Sequence, residues 1–321
     1  MYHGIINIYK EAGYTSHDVV AKLRGILGQK KIGHTGTLDP DATGVLPVCL
    51  GVGTKLCDML TDEDKEYVAE LYLGVTTDTQ DMSGTVLTRN DVTIDEKKLK
   101  EIIYSFQGSY EQLPPMYSAL KVNGKKLYEL AREGKTVERK TRTVRIEEIE
   151  IQKVSLPLVK MRVVCSKGTY IRTLCDDIGK KAGCGGAMKS LQRTRVGSFV
   201  IRDALKLDRV QELVSENRVQ DFIISVDGMF PQLDKLKVKQ DYYKMLKNGN
   251  CLGINMVYIT KQSELQMTET QTYRTQISEI QTPADGERFC VYDENAIFYG
   301  IYQYERKTKM FTPVKMFISE T

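Results

Sequence analysis

The 321-residue sequence lacks the features that mark membrane, secreted and zinc-ribbon proteins. No stretch approaches the roughly twenty apolar residues of a membrane span, and the first ten residues lack the regions of a signal peptide. The seven cysteines are odd in number and form no C-x-x-C pair, which argues against a disulfide framework or a zinc ribbon. We therefore expect a cytoplasmic protein with buried free thiols. Its 41% hydrophobic content and its length suit one large and one small globular domain.

The net charge of +4 is modest, but basic residues are concentrated in one segment. Between Lys121 and Arg145 nine basic residues stand against three acidic ones, and Tyr117 and Tyr128 lie close by. Such a patch suits a phosphate backbone, where each neutralised phosphate adds salt-sensitive affinity. A solvated charged face is the alternative that this run alone leaves equally open.

Hydrophobic periodicity predicts helices and strands in alternation along the chain. Strands are predicted at 4–9, 42–50, 66–73, 144–152, 158–165 and 188–201. Helices are predicted from Thr15 to about residue 27, then at 54–60, 95–106, from about 169, at 209–217 and at 240–247. Residues 78–84 are predicted as a polar loop. A turn-rich passage at 226–231 predicts a domain boundary, and the polar tract 262–287 is interpreted as an extended, mobile insertion.

One loop has the composition of an active-site loop, in the stretch KIGHTGTLDPDATGVLPVCLG that spans 31–51. Pro40 pushes the preceding Asp39 toward extended backbone and away from helix. Three nearby glycines allow tight turns or the close approach of backbone to a ligand. A single carboxylate on a stiff loop is a candidate nucleophile, although an aspartate before a proline is most often a turn former.

Two other interpretations of this region are weaker. The segment 51–55 contains two glycines and a lysine but fails the spacing of a phosphate-binding P-loop. His34, Asp39 and Asp41 are too few to suggest a metal site, because no further His or Glu cluster lies nearby and hard metals usually need more oxygen ligands. No metal is predicted.

Five segments resemble, in order and spacing, the TruB family of tRNA pseudouridine synthases: GHTGTLDPDATGVLPVCLG, DKEYVAELYLGVTTDTQD, PPMYSALKVNGKKLYELAREG, CSKGTYIRTLCDDIG and LQRTRVGSF. The resemblance implies an α+β pseudouridine synthase fold, with a central mixed, mainly antiparallel sheet flanked by helices. It places a catalytic domain at 1–229 and a small β-rich, PUA-like RNA-binding domain at 230–321. The sequence departs from the family at Lys10-Glu11, where Lys-Pro is common.

The resemblance also implies an activity. The family's enzymes are isomerases that convert uridine 55 in the T-loop of tRNA to pseudouridine. The N-glycosidic bond breaks, the base turns, and it rejoins the sugar through carbon 5. We therefore expect tRNA as the partner, no metal or organic cofactor, no membrane and a monomeric enzyme.

The motifs further imply catalytic roles for Asp39 as nucleophile and Arg172 as its partner. They imply substrate-binding roles for His34, which helps displace the base, Tyr67, which stacks on it, Tyr170 at the uracil, and Leu191, which lines the base pocket. The basic segment 113–145 is expected to clamp the T-arm. Contacts to the tRNA backbone are expected from Lys121, Lys125, Lys126, Arg132 and Arg142.

The chemistry asks for these residue types independently. Glycosidic cleavage needs a carboxylate that stabilises or traps positive charge at the sugar carbon. An arginine beside Asp39 is expected to lower its pKa and keep it ionised. Asp41 would raise that pKa if it pointed inward, and we expect it to point outward. Arg172 has an alternative in a pair with Asp176 or Asp177, one turn further along its helix.

Two other functions remain open from the sequence. A nucleoside or RNA N-glycosidase could use the same aspartate, but hydrolysis would normally need a second carboxylic acid and a water, whereas an isomerase must exclude water. A tRNA-binding chaperone with a vestigial site is the second alternative. The complete set of motif residues argues against it.

Overall fold

The computed structural model describes residues 1–122, 124–260 and 282–318, which form seven α-helices and twenty strands. The helices are α1 (Ser16–Leu27), α2 (Cys57–Thr61), α3 (Glu96–Tyr104), α4 (Leu127–Arg132), α5 (Ile171–Lys181), α6 (Leu207–Ser215) and α7 (Tyr243–Lys247). The strands are β1 (Gly4–Lys10), β2 (Ile32–His34), β3 (Thr43–Leu50), β4 (Lys65–Leu73), β5 (Val75–Thr77), β6 (Val86–Arg89), β7 (Gly108–Gln112), β8 (Lys121–Val122), β9 (Lys125–Lys126), β10 (Arg142–Ser155), β11 (Leu158–Cys165), β12 (Gly186–Val196), β13 (Phe199–Val200), β14 (Ile223–Ile224), β15 (Asp234–Val238), β16 (Leu252–Gly253), β17 (Val257–Thr260), β18 (Arg288–Tyr292), β19 (Phe298–Glu305) and β20 (Met310–Met316).

A ten-stranded sheet forms the centre of the first two thirds of the chain. Its path is β14-β1-β3-β12-β4-β11-β10-β7, with β2 beside β3 and β13 beside β12. Neighbouring strands of this sheet run antiparallel apart from β3 and β12, which run parallel where Arg193 lies opposite Gly44. The expected mixed, mainly antiparallel sheet is confirmed.

Helices α1 and α6 cover one end of this sheet. The sequence begins α1 with a capping box, in which the Thr15 hydroxyl accepts from the Asp18 amide at 3.0 Å and the Asp18 carboxylate accepts from the Thr15 amide at 2.8 Å. Leucine and valine side chains of the two helices then pack on β1 and β3. Each such buried side chain contributes about 1.5–3 kcal/mol of transfer free energy.

Helices α3 and α5 cover the other end of the sheet. Their apolar faces pack on β4, β10 and β11 in a second buried core. Leu38 and Ala42, which flank the Asp39 turn on either side, belong to this same core. The loop is therefore anchored by buried apolar side chains around an accessible carboxylate.

The C-terminal module is a six-stranded sheet of order β16-β20-β19-β18-β15-β17. One face of this sheet forms a core of its own with α7. Cys290 and Ile301 of this sheet, together with Phe317 directly after β20, join a cluster shared with β1, β3 and the α2 region. The β-rich C-terminal domain is confirmed, and the boundary between residues 229 and 230 stays a prediction.

Several predicted elements differ in detail from the observed ones. The predicted strand 188–201 is two strands, β12 and β13, because Gly197 turns the chain at a φ of +52°. The predicted helices at 54–60 and 240–247 each begin as a 3-10 turn, so that only α2 and α7 are α-helical there. Residues 262–281 of the polar tract lie outside the described residues.

Candidate active site

The Asp39 loop joins β2 to β3 at the centre of the large sheet. Its turn is closed by a hydrogen bond from the Ala42 amide to the Asp39 carbonyl at 3.1 Å. On the opposite side of the turn, the Ser16 hydroxyl accepts from the Leu38 amide at 2.9 Å, which ties the loop to the start of α1. The backbone around Asp39 is thus fixed by neighbours on both sides.

A buried lysine lies beneath this loop. The Lys10 ammonium donates to the carbonyl of Pro40 at 2.9 Å and to that of Ala42 at 2.6 Å. Burial lowers the pKa of Lys10 to about 8, against the opposing influence of Asp39 and Asp41. The sequence marked Lys10 only as part of a departure from the family pattern, and nothing in the sequence showed that it holds the loop.

Asp39 and Arg172 form a two-point ion pair. The guanidinium Nε lies 3.1 Å from one carboxylate oxygen, and Nη2 lies 3.4 Å from the other. Arg172 projects from the first turn of α5 and is buried, whereas 40% of the Asp39 side chain remains exposed. A fixed but accessible carboxylate can meet a substrate.

Arg172 lowers the pKa of Asp39, as expected, but it does not decide the net direction of the shift. Desolvation raises the pKa of Asp39 and outweighs the Arg172 guanidinium, which lowers it. Asp81 raises that pKa further as a like charge. This desolvation could not be predicted from the sequence, because the extent of burial depends on the tertiary structure.

Asp81 is the main acidic residue that the sequence reasoning missed. Its carboxylate lies 3.4 Å from Nη1 of Arg172 and also accepts from the Ser83 amide at 3.0 Å. Arg172 donates in addition to the carbonyls of Thr79 at 3.2 Å and Tyr117 at 2.7 Å. The turn that carries Asp81 was predicted only as a polar loop, and no local pattern links it to α5.

The alternative partners of Arg172 have other contacts. Asp176 pairs with Lys180 at 2.5 Å, and Asp177 accepts a short hydrogen bond from the Tyr110 hydroxyl. Asp41 is exposed, as expected, and its effect on the pKa of Asp39 ranks behind those of burial, Arg172, Asp81 and Lys10.

Tyr67 lies opposite Arg193 across the β4–β12 pair, and the two side chains interact through a hydrogen bond. The buried guanidinium of Arg193 also donates to the carbonyl of Val45 at 2.7 Å and to that of Gly36 at 3.2 Å. Burial raises the pKa of Tyr67, so its phenol is neutral. Leu191 is two residues before Arg193 on β12, is half-buried and packs on the core that contains Tyr67.

His34 lies just before the Asp39 loop, and Tyr170 lies just before α5. His34 ends β2, and its Nδ1 accepts from the Gly36 amide at 3.3 Å, while burial and the Arg193 charge lower its pKa. The backbone of Tyr170 is held by the Gln112 side chain, which accepts from its amide at 2.7 Å and donates to its carbonyl at 3.0 Å. Both side chains are half-buried, which leaves part of each accessible.

The basic segment meets the site through the Tyr117 carbonyl. Lys121 and Lys125 are exposed on the β8–β9 hairpin. Lys126 ends β9 and Arg132 ends α4, and the charged group of each lies 5.4 Å from the ring centroid of Tyr128. Arg142 is separate from the hairpin, since its guanidinium lies 5.9 Å from the ring centroid of Tyr170. Contacts of these residues with tRNA stay predictions.

The described part of the chain contains neither a candidate metal cluster nor a candidate membrane-spanning helix. In residues 1–122, 124–260 and 282–318 no group of three or more His, Cys, Asp or Glu is arranged to hold a metal ion. Within the same part of the chain, no helix has the length and apolar content needed to cross a membrane.

Comparison with solved structures defines the fold class. The chain matches one from the "Structure of H/ACA RNP bound to a substrate RNA containing 2'-deoxyuridine" with a TM-score of 0.67 and 22% identity, covering 98% of this chain and 85% of that chain. It matches one from the "Crystal Structure of a Cbf5-Nop10-Gar1 Complex" with a TM-score of 0.67 and 24% identity, over the same shares. The fold is that of the pseudouridine synthases.

Sequence comparison identifies the family. Residues 24–171 match the family model of the TruB family pseudouridylate synthase N-terminal domain, and residues 172–234 match that of the tRNA pseudouridylate synthase B C-terminal domain. Curated proteins named tRNA pseudouridine synthase B from Lachnoclostridium phytofermentans and Clostridium perfringens (strain SM101 / Type A) are 50% and 41% identical to this chain. They cover 98% and 99% of it, and the match spans 100% of each relative. The chain belongs to the TruB family, whose known reaction is the isomerisation of uridine to pseudouridine in tRNA.

Proposed function

We propose that this chain converts uridine 55 of the tRNA T-loop to pseudouridine, with Asp39 as the nucleophile. One observation carries the proposal: the Asp39 carboxylate is fixed by Arg172 at 3.1 Å and is still 40% exposed. Membership of the TruB family and relatives named tRNA pseudouridine synthase B support tRNA as the substrate.

Asp39 acts at the glycosidic bond. Cleavage of that bond develops positive charge on the sugar, which a carboxylate stabilises or traps. Attack on the sugar carbon, attack on the uracil ring and proton removal toward a glycal all start from the ionised form. Arg172 favours that form against the effect of burial.

Four residues handle the flipped base. A uridine inside a folded loop must leave its stack before its glycosidic bond can be reached, and the protein must then hold the ring. We assign His34 to displacement of the base, Tyr67 to stacking on it and Tyr170 to contact with the uracil. Leu191 supplies an apolar wall that helps to keep water away from the detached base.

The surroundings of Asp81 favour isomerisation over hydrolysis. A hydrolase would need a second carboxylic acid free to act as a proton donor or to activate water. Asp81 is a nearby carboxylate, but its oxygens accept from Arg172, Ser83 and Thr79, and only 15% of its side chain is exposed. We therefore assign Asp81 to holding Arg172.

The basic segment 113–145 and the C-terminal module are assigned to tRNA binding. Lys121, Lys125, Lys126, Arg132 and Arg142 contact the backbone of the T-arm in this proposal. In this proposal the enzyme acts as a monomer. Because tRNA is the substrate, we place the enzyme in the cytoplasm, and the proposed reaction uses no metal or organic cofactor.

Mapping the product tests this function against its alternatives. The protein is incubated with an unmodified tRNA transcript, and pseudouridine is located by chemical labelling and primer extension. We expect a single strong stop at position 55 and no free uracil. Release of uracil with an abasic site would indicate an N-glycosidase, and bound but unchanged tRNA would indicate a chaperone. Either outcome, or modification at another position, contradicts the proposal.

A further inference from the structure

The Gln80 side chain connects the turn after β5 to helix α5 at two points. Its Nε2 donates to the Asp176 carboxylate at 2.8 Å, and its Oε1 accepts from the Thr173 hydroxyl at 2.8 Å. Because a carboxylate only accepts hydrogen bonds, the amide nitrogen must face Asp176 and the amide oxygen must face Thr173. Both partners are buried, so both ends of the Gln80 amide are held by groups shielded from water.

The backbone at Gln80 adopts a conformation that side-chain-bearing residues rarely take. Its φ of +64° lies in the left-handed region. Met188 on β12 supports the turn from the other side, since its amide donates to the Gln80 carbonyl and its carbonyl accepts from the Met82 amide, both at 3.0 Å. Left-handed residues persist where the surrounding structure fixes them, and they cluster at functional sites.

The residues on either side of Gln80 hold the arginine of the site. The Thr79 carbonyl and the Asp81 carboxylate both accept from Nη1 of Arg172, at 3.2 Å and 3.4 Å. The same guanidinium holds Asp39 through its other nitrogens. The position of this turn therefore decides how the guanidinium is oriented toward the catalytic carboxylate.

The contacts between turn and helix are reciprocal. Arg172 reaches from α5 to the turn, and Gln80 reaches from the turn back to α5, where its partners Thr173 and Asp176 lie one and four residues after Arg172. Neither contact alone fixes the angle between the two elements. Together they restrict it at two points.

We propose that Gln80 is a positioning residue, which holds the turn against α5 so that Arg172 keeps the orientation in which it pairs with Asp39. The inference rests on the proposed function of the site. Loss of the Gln80 contacts leaves the turn tied to β12, and Arg172 itself becomes its remaining side-chain tie to α5 among the contacts described above. The rate of chemistry then falls, because a misplaced catalytic group is costly, while phosphate contacts far from the turn keep the affinity for tRNA.

The first test is Gln80→Glu, which keeps size and shape but places a carboxylate against Asp176. The readout is the single-turnover rate with tRNA labelled by tritium at carbon 5 of uridine, since that hydrogen is released when the base rejoins through carbon 5. We expect a rate at least about tenfold below wild type at neutral pH, with the Kd for tRNA within about twofold. As the pH falls toward 5, the deficit relative to wild type narrows, because the introduced carboxylic acid becomes protonated and donates to Asp176.

The second test exchanges donor and acceptor. In the double variant Gln80→Glu with Asp176→Asn, the amide on α5 faces the carboxylate on the turn, so the hydrogen bond forms in the reverse sense. We expect the double variant to recover to within about threefold of wild type. Gln107→Glu is the matched control, since its amide donates to the Glu147 carbonyl on an exposed surface, and its rate stays at the wild-type level.

Gln80→Gly removes the side-chain contacts without straining the backbone, because glycine accepts the positive φ. We expect a reduced rate in a protein that still folds, and this variant also decides the matter if Gln80→Glu does not fold. A wild-type rate in Gln80→Gly, or a Gln80→Glu defect that Asp176→Asn does not relieve, overturns the inference while leaving the proposed function intact. A wild-type protein that releases no tritium overturns both.

Discussion

At the residue scale, Asp39 is set between opposing influences on its ionisation. Burial and Asp81 raise its pKa, and Arg172 lowers it, with a net upward direction. Because the folded-state pKa lies above that of the unfolded chain, the contribution of Asp39 to stability is fully present at low pH. It is lost as the pH rises through the folded-state value. The activity, in contrast, rises as the pH rises through the pKa of Asp39, since the ionised carboxylate is the active form.

The acid limb of the pH–rate profile reports this balance. We expect Arg172→Gln to move the limb to higher pH, because it removes the charge that lowers the pKa of Asp39. We expect Asp81→Asn to move it to lower pH, because it removes a like charge. Single-turnover rates between about pH 4.5 and 8 measure both shifts.

The control for this profile is Asp62→Asn. Asp62 is an exposed carboxylate that pairs with Lys167 at 2.8 Å, and its substitution leaves the limb in place. Shifts of Arg172→Gln and Asp81→Asn in the same direction, or no shift in either, would show that these two charges do not set the ionisation of Asp39.

At the element scale, the close approach of β3 to β12 positions the Asp39 loop. Gly44 has a φ of +110°, and a β-carbon there would lie 2.1 Å from the Arg193 carbonyl oxygen. We expect Gly44→Ala to lower the free energy of unfolding by more than about 3 kcal/mol, since backbone strain and a clash with backbone add together. Urea unfolding followed by circular dichroism measures the loss.

Gly13→Ala is the matched control, because Gly13 also has a positive φ, +86°, but a β-carbon there meets nothing within 4 Å. Its cost is limited to the backbone preference, about 1–2 kcal/mol. Equal losses in the free energy of unfolding for the two variants would mean that β3 and β12 can accommodate a side chain at Gly44.

The exposed lysines of the β8–β9 hairpin are predicted to contribute to the affinity for tRNA. Lys121→Ala and Lys125→Ala each remove an exposed ammonium, so each is expected to reduce the slope of log Kd against log salt by about 1. The single-turnover rate at saturating tRNA is unchanged. Filter binding between about 50 and 300 mM salt provides the slopes.

Lys98→Ala removes the same charge from α3, where Lys98 pairs with Glu101 at 3.3 Å. We expect its salt slope to equal that of the wild type. A slope that falls equally in all three variants would indicate a general effect of net charge, and the hairpin would then lose its assigned role.

The sequence predicted those parts of the fold that local patterns determine. Helix α3 and strand β4 follow from the period of their apolar residues, and the turn after β5 from its polar composition. The approach of Asp81 to Arg172 could not be predicted, because it depends on how that turn packs against a helix ninety-one residues later in the chain. The effect of Arg172 on the pKa of Asp39 was predicted correctly, but the larger effect of desolvation could not be predicted, since burial is a property of the tertiary structure.

At the scale of the whole molecule, the two sheets share a hydrophobic cluster. The Phe317 ring lies 5.6 Å from that of Phe298 and 6.4 Å from that of Phe230, beside residues of β1 and β3. Lys55 of the first part donates to the carbonyl of Met316 at 3.0 Å. The C-terminal module is therefore joined to the catalytic sheet by both apolar and polar contacts.

We expect Phe317→Ala to lower the free energy of unfolding of the whole chain by about 3–5 kcal/mol, as for other buried phenylalanines. Phe222→Ala is the control, since Phe222 is 38% exposed, and it should cost clearly less. Calorimetry of both variants measures the difference. A Phe317→Ala protein as stable as Phe222→Ala would show that the shared cluster contributes little.

The central claim is that Asp39 performs the chemistry at uridine 55, and its most direct test is a comparison of two neighbouring carboxylates. Asp39→Asn and Asp41→Asn make the same chemical change two residues apart, at the paired side chain and at the exposed one. Tritium release from uridine 55 is measured under single-turnover conditions, together with the Kd for tRNA. We predict no release by Asp39→Asn with binding within a few fold of wild type, and release within about twofold of wild type by Asp41→Asn. Wild-type release by Asp39→Asn would contradict the mechanism.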